Sequence, residues 1–551
     1  MPTIADLVRA REGDPATAYL FEDERWTYDE YVRACAARAC YLLDTRRDAP
    51  FHVGVLLDNT PEFAMWLGAA AVAGAVIVGI NPTRRGAELA RDITFTDCQW
   101  IVTDSSYEPL LEGLDLGGAD DRRLVVDSGA RYEDLLARYA DAGLPDAEVD
   151  GSTLFLLLFT SGTSGAPKAC LCTQGRLAGM SGVLAEMLPL TADDVCYQSM
   201  PLFHSNALIT GWTPCLAVGA TGVLRRKFSA SGFLPDLRVH GVTYFNYVGK
   251  PLSYILATPE RPDDADNTLR VAFGNEAADL DIERFERRFA CKVIDGYGST
   301  EGGAHISRTP DMPKGALGVA PTDGIVILDP ETGDECPRAR FDDEGRLVNP
   351  DEAIGEIVNK QGAPSFEGYY KNEEANAARV RNGLYWTGDL GYRDDAGYFY
   401  FAGRDFEWLR VDGENFAAAP VERILSRHPD VVLAAVYAVP DPEVGDRVMA
   451  ALQLRPGAAF DPHGFAAFLA EQPDLGTKWA PWFVRITDAL PVTETSKVLK
   501  RVLRRERWEC GDPVWWQPEK GGPYRRLESK DADALREQFV ERGRAAALDA
   551  V

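Results

Sequence analysis

Apolar residues occur along the chain in short unbroken runs, and the clearest is Leu154 to Phe159. A run of this length, without the spacing of an amphipathic helix, predicts a buried strand. Runs of this kind alternate with helical patterns such as Pro61 to Ala73, which indicates an α/β fold. The other strands predicted in this part are His52 to Leu57, Ala75 to Ile80, Trp100 to Val102, Leu124 to Val126, Thr243 to Tyr247, Leu269 to Phe273 and Val293 to Asp295.

The pattern changes after these layers. Short strands with turn signals occupy Asp323 to Lys360 and predict a β-rich subdomain. Tyr392 to Ala402 then predicts a hairpin that turns at Asp394 to Gly397.

A smaller α+β unit follows Glu407, with predicted helices at Ala419 to Arg427 and Pro462 to Glu471 and strands at Val431 to Val439 and Val448 to Leu454. At 551 residues the chain is too long for one core. The sequence therefore predicts a large N-terminal domain of layered α/β sheets with a β-rich subdomain, residues 1–406, and a small C-terminal domain, residues 407–551.

Charge and cysteine usage narrow the function classes. The formal net charge of −27 argues against nucleic acid as a partner, because phosphate backbones require a basic surface. The apolar stretch Ala64 to Ile80 contains three glycines and runs into Asn81-Pro82, so we expect a buried helix and a strand rather than a transmembrane segment. The ten cysteines show no paired spacing and no signal peptide precedes them, which predicts reduced thiols in a cytoplasmic protein.

The segment after the first strand has the composition of a phosphate-binding loop. Two glycines allow backbone N–H groups to approach a ligand, hydroxyl side chains add donors, and a lysine places one cation at its end. These residues are Thr160, Ser161, Gly162, Thr163, Ser164, Gly165 and Lys168. The loop differs from that of P-loop NTPases, since Pro167 precedes the lysine and Ala169 follows it.

This loop resembles the phosphate loop of the adenylate-forming superfamily, which includes acyl-CoA synthetases, luciferase and the adenylation domains of peptide synthetases. The resemblance extends over nearly the whole chain. It implies a mobile C-terminal domain, and it implies ATP, Mg²⁺ and coenzyme A as cofactors.

Asp295, Gly296, Tyr297, Gly298, Ser299, Thr300 and Glu301 resemble a second motif of that family and follow a predicted strand. Gly296 and Gly298 predict a tight turn around an exposed aromatic. Tyr297 can stack on a purine, Thr300 can donate to a phosphate, and Glu301 offers a hard oxygen for Mg²⁺. We therefore expect this motif in the ATP site.

Two further motifs follow. Trp386 to Asp389 resembles the family's ribose-binding motif, which assigns Asp389 to the ribose hydroxyls and Arg404 as its partner. The resemblance makes Glu407 the hinge of the C-terminal domain. Pro491 to Lys497 resembles the loop that delivers the catalytic lysine, which assigns that role to Lys497.

The segment Leu409 to Asn415 resembles the part of the family that lines the tunnel for CoA, which assigns Arg410, Gly413, Glu414 and Asn415 to CoA binding. Most relatives carry Lys at the position of Arg410 and often Gly at that of Asp412, so the charge is kept but the shape is changed. The basic run from Lys500 to Arg507 is either a solvated helix face or a contact for CoA phosphates or an anionic membrane surface.

The acyl site is predicted from position and apolar character. His204 lies where the family places a residue beside the acyl pocket, although a purely structural histidine fits equally well. Tyr247 and Gly274 are predicted to contact the acid as well, and apolar residues around Met200 to Leu208 and Tyr244 to Ile255 predict a sizeable pocket.

Within the superfamily, three segments resemble fatty-acid-transport-protein-type synthetases and bacterial fatty-acyl-CoA ligases. They are Arg284 to Phe289, the tail that begins at Asp512, and Tyr524 to Leu527 within that tail. The main hypothesis is a ligase that activates a hydrophobic carboxylic acid with MgATP and transfers it to CoA. Two alternatives stay open, namely an enzyme that performs one half-reaction or loads a carrier protein, and a silent nucleotide or acyl binder. The acid itself stays open, and so does the oligomeric state, a homodimer included.

Overall fold

The protein is described by a computed structural model that covers residues 2–548 apart from 161–167, 310, 344, 346, 404–407, 412–413, 443–444, 477, 494–497, 520 and 543. The first strands along the chain are β1 (Thr17–Phe21), β2 (Glu24–Thr27), β3 (His52–Leu56), β4 (Val76–Gly79), β5 (Cys98–Thr103), β6 (Arg123–Val125), β7 (Leu154–Thr160), β8 (Lys168–Thr173), β9 (Val195–Gln198), β10 (Thr221–Leu224), β11 (Tyr244–Val248), β12 (Val271–Asn275) and β13 (Lys292–Gly298).

The strands that follow are shorter in the β-rich part and longer in the C-terminal part. They are β14 (His305–Ser307), β15 (Gly318–Val319), β16 (Ile325–Leu328), β17 (Gly355–Asn359), β18 (Val380–Arg381), β19 (Leu384–Arg393), β20 (Tyr398–Gly403), β21 (Trp408–Val411), β22 (Glu414–Ala417), β23 (Val431–Asp441), β24 (Gly445–Leu454), β25 (Phe483–Thr487), β26 (Val514–Trp516) and β27 (Arg525–Arg526).

The α-helices are α1 (Ile4–Arg9), α2 (Tyr28–Thr45), α3 (Pro61–Ala73), α4 (Gly86–Phe95), α5 (Ala130–Ala137), α6 (Gln174–Met187), α7 (Thr213–Val218), α8 (Phe233–His240), α9 (Pro251–Leu256), α10 (Asp279–Phe289), α11 (Pro350–Ala353), α12 (Glu373–Arg379), α13 (Ala418–Leu425), α14 (Pro462–Ala470), α15 (Lys500–Glu506) and α16 (Ser529–Glu541). One π-helical turn spans Ala207–Trp212. None of the helices within the described residues has the length and apolar character needed to cross a bilayer.

The strands form three sheets. One has the order β6-β5-β3-β4-β7-β8, and a second runs from β16 through β20, β13, β12, β11 and β9 to β2. The neighbours β13, β12, β11, β9 and β10 are parallel. Most residues of these parallel strands are buried and the majority are apolar, as the unbroken runs predict, although buried polar residues such as Gln198, Asn246 and Asp295 also occur in them. Mixed α/β architecture is therefore confirmed.

The third sheet takes all of its strands from Trp408 onward, in the order β22-β21-β24-β25-β26-β27, with β23 beside β24. It has its own buried clusters, which include Val436, Leu452 and Phe465. The small C-terminal α+β unit is therefore present, while the boundary at residue 407 and the hinge at Glu407 stay predictions, because residues 404–407 lie outside the described residues.

The helix and strand predicted at Ala64 to Ile80 are present as α3 and β4. Glycine ends the helix, since Gly74 has a φ of 69° and its N–H donates to the carbonyl of Ala70. Pro61 occupies the first turn of α3, where its missing N–H costs no hydrogen bond. Every residue from Phe63 to Ala73 is buried, which explains the membrane-like composition of this stretch.

Candidate active site

The predicted phosphate loop connects two antiparallel strands. β7 ends at Thr160 and β8 begins at Lys168, and these two residues face each other in the ladder. The Thr160 hydroxyl donates to the Lys168 carbonyl at 3.5 Å. Ser161, Gly162, Thr163, Ser164 and Gly165 lie outside the described residues, so their role as phosphate ligands stays a prediction.

Lys168 lies beside residues that the sequence analysis did not identify. Its ammonium is 5.7 Å from the centre of the Tyr369 ring. Tyr369 reaches this position because residues 368–370 run along β8, with Leu171 N–H donating to the Gly368 carbonyl at 2.9 Å and Tyr370 N–H to the Ala169 carbonyl at 2.8 Å. Burial lowers the pKa of Lys168, and the positive charge of Arg379 lowers it further. The carboxylates of Glu301 and Glu374 act in the opposite direction and raise it.

Glu301 lies at the centre of this group. Its carboxylate is buried, and one oxygen accepts a 2.6 Å hydrogen bond from the Tyr369 hydroxyl. Arg379 Nε donates to the same hydroxyl at 3.1 Å. Burial and the neighbouring Glu301 charge raise the pKa of Tyr369, so this phenol stays protonated and keeps donating.

Glu301 fits the role predicted for it with Mg²⁺. Magnesium in phosphate-transfer sites is usually bound by one or two carboxylates together with substrate phosphates. Across the part of the chain that the structure describes, no group of three or more His, Cys, Asp or Glu residues could hold a metal ion. Binding of Mg²⁺ by Glu301 stays a prediction.

Thr300 is held by two contacts. Its hydroxyl shares a 2.7 Å hydrogen bond with the Ser205 hydroxyl, and its carbonyl accepts from Arg176 Nη2 at 2.6 Å. Arg176 comes from the first turn of α6. The chain turns just after Thr300, where Gly302 has a φ of 72° and a Cβ would lie 2.6 Å from Arg176 Nη2. The arginine thus fixes the backbone beside the threonine.

The turn expected at Gly296 and Gly298 is wrong in position. Both residues belong to β13 and pair with β14, so the motif is extended as far as Gly298. The reason is the hairpin partner, because a strand that forms a ladder with His305–Ser307 cannot turn within it. The turn occurs at Gly302 instead.

Tyr297 and Asp389, both predicted to bind the nucleoside, contact each other. The Tyr297 hydroxyl donates to Asp389 Oδ2 at 2.7 Å, and the Asp389 N–H donates to Thr387 Oγ at 3.1 Å. Burial raises the pKa of Tyr297 well above its ordinary value, and the Asp389 carboxylate raises it further. Their contacts with adenine and ribose stay predictions, and Arg404 lies outside the described residues.

The Asp295 carboxyl group accepts hydrogen bonds from two groups of the protein. Its Oδ2 accepts from the Tyr247 hydroxyl at 2.8 Å and from the Ala277 N–H at 3.1 Å. Burial raises its pKa to about 7. Tyr247 is itself fully buried and packs over Gly274, where a Cβ would clash with the Tyr247 carbonyl. The roles of Asp295 in ATP binding and of Tyr247 and Gly274 in acyl binding stay predictions.

The raised pKa of Asp295 makes a prediction for stability. A carboxyl whose folded pKa lies above the unfolded value stabilises the fold at low pH, and this contribution is lost as the pH rises toward 7. We expect Asp295 to lower the free energy of unfolding by roughly 2 kcal/mol between pH 5 and pH 6.5. Asp295→Asn keeps an acceptor for both donors and should remove this slope in urea unfolding. An unchanged slope in the variant would contradict the assignment.

His204 and the CoA segment can be placed only in part. His204 is half-buried, and its Nδ1 accepts from the Asn206 N–H at 3.3 Å. Arg410 and Asn415 are register partners in the β21–β22 hairpin, and Glu414 begins its second strand. Gly413, Asp412 and Lys497 lie outside the described residues. The roles of these residues in acyl, CoA and catalytic contacts stay predictions.

Arg176, Tyr369 and Arg379 are the site residues that sequence reasoning missed. Arg176 contacts Thr300 across 124 residues, Tyr369 contacts Glu301 across 68 residues, and Arg379 acts through Tyr369. No local pattern reveals these contacts. The signal that was available is the Gly368-Tyr369-Tyr370 segment, a glycine beside two aromatics in a polar stretch.

Tyr369 gives a prediction that tests the Glu301 arrangement. Tyr369→Phe removes the donor that orients the carboxylate, so we expect the Mg²⁺ concentration for half-maximal rate to rise about tenfold. Mg²⁺ titrations of the adenylation rate measure this. Tyr370→Phe is the matched control, since its hydroxyl bonds to Asp97, which lies outside the site. Equal Mg²⁺ dependence in both variants would show that Tyr369 does not position Glu301.

Comparisons with known proteins identify the family of the chain. The family model described as AMP-binding enzyme matches residues 7–370, and that of the AMP-binding enzyme C-terminal domain matches residues 420–497. The chain is 54% identical to a steroid-22-oyl-CoA synthetase of Rhodococcus jostii, over 98% of both chains. It is 50% identical to the medium/long-chain-fatty-acid--CoA ligase FadD17 of Mycobacterium marinum, over 93% of this chain and 98% of that protein.

More distant similarities extend the set. Long-chain fatty acid transport protein 5 of Homo sapiens is 32% identical over 86% of this chain and 72% of that protein. The crystal structure of the anthranilate CoA ligase AuaEII in complex with anthranoyl-AMP superposes with a TM-score of 0.79 at 21% identity, over 91% of this chain and 96% of that one. The last similarity shows a shared fold.

Proposed function

The chain belongs to the AMP-binding enzyme family and is an acyl-CoA ligase, and we propose that it joins an apolar carboxylic acid of the fatty or steroid class to CoA at the site around Thr300 and Glu301. One observation carries the assignment of the site. The buried Glu301 carboxylate, which follows Thr300 in the chain, and the Lys168 ammonium both contact Tyr369, and Arg379 Nε donates to the hydroxyl of the same tyrosine.

In the first half-reaction, an oxygen of the acid's carboxylate forms a bond to the α-phosphorus of ATP. The bond from that phosphorus to its bridging oxygen breaks, and pyrophosphate leaves with the electron pair. Lys168 and Thr300 stabilise the charge that develops on the phosphate oxygens, and Lys497 completes the set when the C-terminal domain delivers it. These groups act mainly by position and charge, because phosphoryl chemistry needs little else from a protein.

In the second half-reaction, the CoA thiolate attacks the carbonyl of the acyl-adenylate and AMP leaves. We propose that the C-terminal domain turns about Glu407, which withdraws Lys497 and brings the Arg410 to Asn415 hairpin to the site. A single site then serves both reactions in sequence. Glu301 would hold Mg²⁺, which neutralises charge on the phosphates when it is bound. A cytoplasmic location and a homodimer stay predictions.

The substrate class rests on two arguments. The relative that is 54% identical to this chain is named for a steroid acid, and the one that is 50% identical is named for medium- and long-chain fatty acids. Leu202, Ala207 and Leu208 are buried near His204 in the chain, together with the polar residues Ser205 and Asn206. Apolar walls with few polar groups are typical of sites for hydrophobic acids.

Product analysis tests the proposal. ATP, CoA and a panel of fatty, aryl and steroid acids are incubated with the full chain, and AMP and acyl-CoA are followed together by mass spectrometry. Both products with a fatty or steroid acid would support the proposal. If no acid yields AMP, but a supplied acyl-adenylate is converted to acyl-CoA, the enzyme performs one half-reaction. If AMP forms only with aryl acids, the substrate class is wrong.

A further inference from the structure

Three segments of the chain supply groups to the candidate site, and Arg176 lies where they meet. Strand β8 begins with Lys168, the segment after β13 carries Thr300 and Glu301, and the segment before α12 carries Tyr369. Tyr369 donates to Glu301 and lies over Lys168, so the segments are in contact at the site itself. The relative positions of their groups depend on the contacts that join the three segments.

The Arg176 guanidinium joins two of these segments through backbone carbonyls. Its Nη1 donates to the Leu171 carbonyl of β8 at 3.0 Å, and its Nη2 donates to the Thr300 carbonyl at 2.6 Å. A guanidinium presents its donors in a planar, rigid fork, whereas an ammonium group is a point charge on a flexible stem. The fork therefore fixes the Thr300 carbonyl relative to the strand that begins with Lys168.

Glu367 joins the third segment to the same strand. Its Oε2 accepts from the Thr173 N–H at 2.8 Å, and its Oε1 accepts from the Thr173 hydroxyl at 2.6 Å. Thr173 is the last residue of β8 and the N-cap of α6. Glu367 Oε2 also lies 3.7 Å from Arg176 Nη1, which makes the two side chains an ion pair.

The pair is largely shielded from water. The side chain of Arg176 is 11% exposed and that of Glu367 is 22% exposed. Because Arg176 reaches the site through a carbonyl, it acts on the position of Thr300 and not on a substrate. Position matters for this threonine, since a displacement of about 1 Å at a reacting centre can lower a rate about 10²-fold.

We propose that Arg176 and Glu367 are positioning residues for adenylation, which hold Thr300 and Glu301 in the arrangement with Lys168 that the reacting phosphate requires. The proposal rests on the proposed function and extends it from the groups that contact ATP to the pair that holds them. Loss of the pair leaves every contacting group in the site but disturbs its alignment. The rate of the chemical step should therefore fall more than the binding of ATP or the acid.

Arg176→Met tests this division between rate and binding. We expect kcat for acyl-adenylate formation, measured by pyrophosphate release, to fall about 10²-fold, and KM for ATP and for the acid to change about threefold or less. A raised KM with an unchanged kcat would overturn the proposal, because the pair would then serve binding alone. AMP and acyl-CoA formation by the wild type tests the ligase function separately, so the two proposals can fail independently.

A double variant shows whether Arg176 acts through Thr300. Effects of residues that act as a unit are not additive. In an enzyme that already carries Thr300→Ala, Arg176→Met should therefore lower kcat by only about tenfold or less. The same loss of kcat in both backgrounds would overturn the proposal, since it would show that the arginine acts independently of the threonine.

Glu367→Gln tests the other member of the pair. The substitution keeps the size of the side chain but removes the charge that faces Arg176, and we expect kcat to fall severalfold at an unchanged KM. An unchanged kcat would overturn the role proposed for Glu367.

Arg38→Met is the matched control for a buried arginine. The Arg38 guanidinium is also buried and donates to the Glu62 carboxylate and the Ala34 carbonyl, but it lies on α2. We expect this variant to be less stable in urea and to keep a kcat near that of the wild type. Equal losses of kcat in Arg38→Met and Arg176→Met would overturn the proposal. If Arg176→Met does not fold, Arg176→Lys decides by the same measurements, because it keeps the charge but not the fork.

Discussion

Lys497→Ala is expected to lower the rate of acyl-adenylate formation by about 10²- to 10³-fold, because it removes a cation that stabilises charge developing on the α-phosphate. Conversion of a supplied acyl-adenylate and CoA to acyl-CoA should change only severalfold, since the lysine is withdrawn in that half-reaction. Pyrophosphate release measures the first rate, and acyl-CoA formation in the absence of ATP measures the second.

Arg501→Ala is the control for this experiment. Arg501 is an exposed cation in the first turn of α15, a few residues beyond Lys497, and its loss tests whether general positive charge near the loop is sufficient. We expect both rates of this variant to stay near those of the wild type. Equal losses in both half-reactions of Lys497→Ala would contradict the proposed rotation of the C-terminal domain about Glu407, and no loss in either would contradict the assignment of the catalytic lysine.

Local sequence patterns predicted the strands that are buried on both faces. β3, β4, β11 and β12 lie within one or two residues of the apolar runs that predict them, because a strand that is buried on both faces consists mainly of apolar residues. The hairpin of β19 and β20 was also predicted from its turn. The two strands are antiparallel, and the Asp394 N–H donates to the Tyr398 carbonyl across the turn. These are properties that neighbouring residues determine among themselves.

The candidate site was predictable only as a set of motifs. Sequence order placed Thr300, Glu301 and Asp389 in the same site, but it could not show that Tyr369 orients Glu301 or that Arg176 holds the Thr300 carbonyl. It also misplaced the turn at Gly296, because the partner strand β14 that keeps the motif extended comes later in the chain. The contacts of Tyr369 and Arg176 join residues that are 68 and 124 positions apart, and hydrophobic periodicity does not reveal them.

Arg288 shows that a residue in a segment typical of a family can serve to stabilise the fold. It belongs to the Arg284 to Phe289 segment that resembles fatty-acyl-CoA ligases. In the structure its guanidinium is 5% exposed and donates to Asp264 Oδ2 at 2.6 Å. It also donates to the carbonyls of Ile255, Thr258 and Pro259 at 3.0 to 3.1 Å, so it fixes the segment between α9 and β12 to α10.

Arg288→Ala should therefore lower the free energy of unfolding by about 3 to 5 kcal/mol, because it leaves the buried Asp264 carboxylate and several carbonyls without their donor. Urea unfolding followed by tryptophan fluorescence measures the change. Arg287→Ala is the matched control, since Arg287 is the exposed neighbour on the same helix and its loss should change stability by about 0.5 kcal/mol or less. Similar unfolding midpoints for the two variants would show that the guanidinium is replaceable there, and that the segment is held by the packing of Phe285 and Phe289 alone.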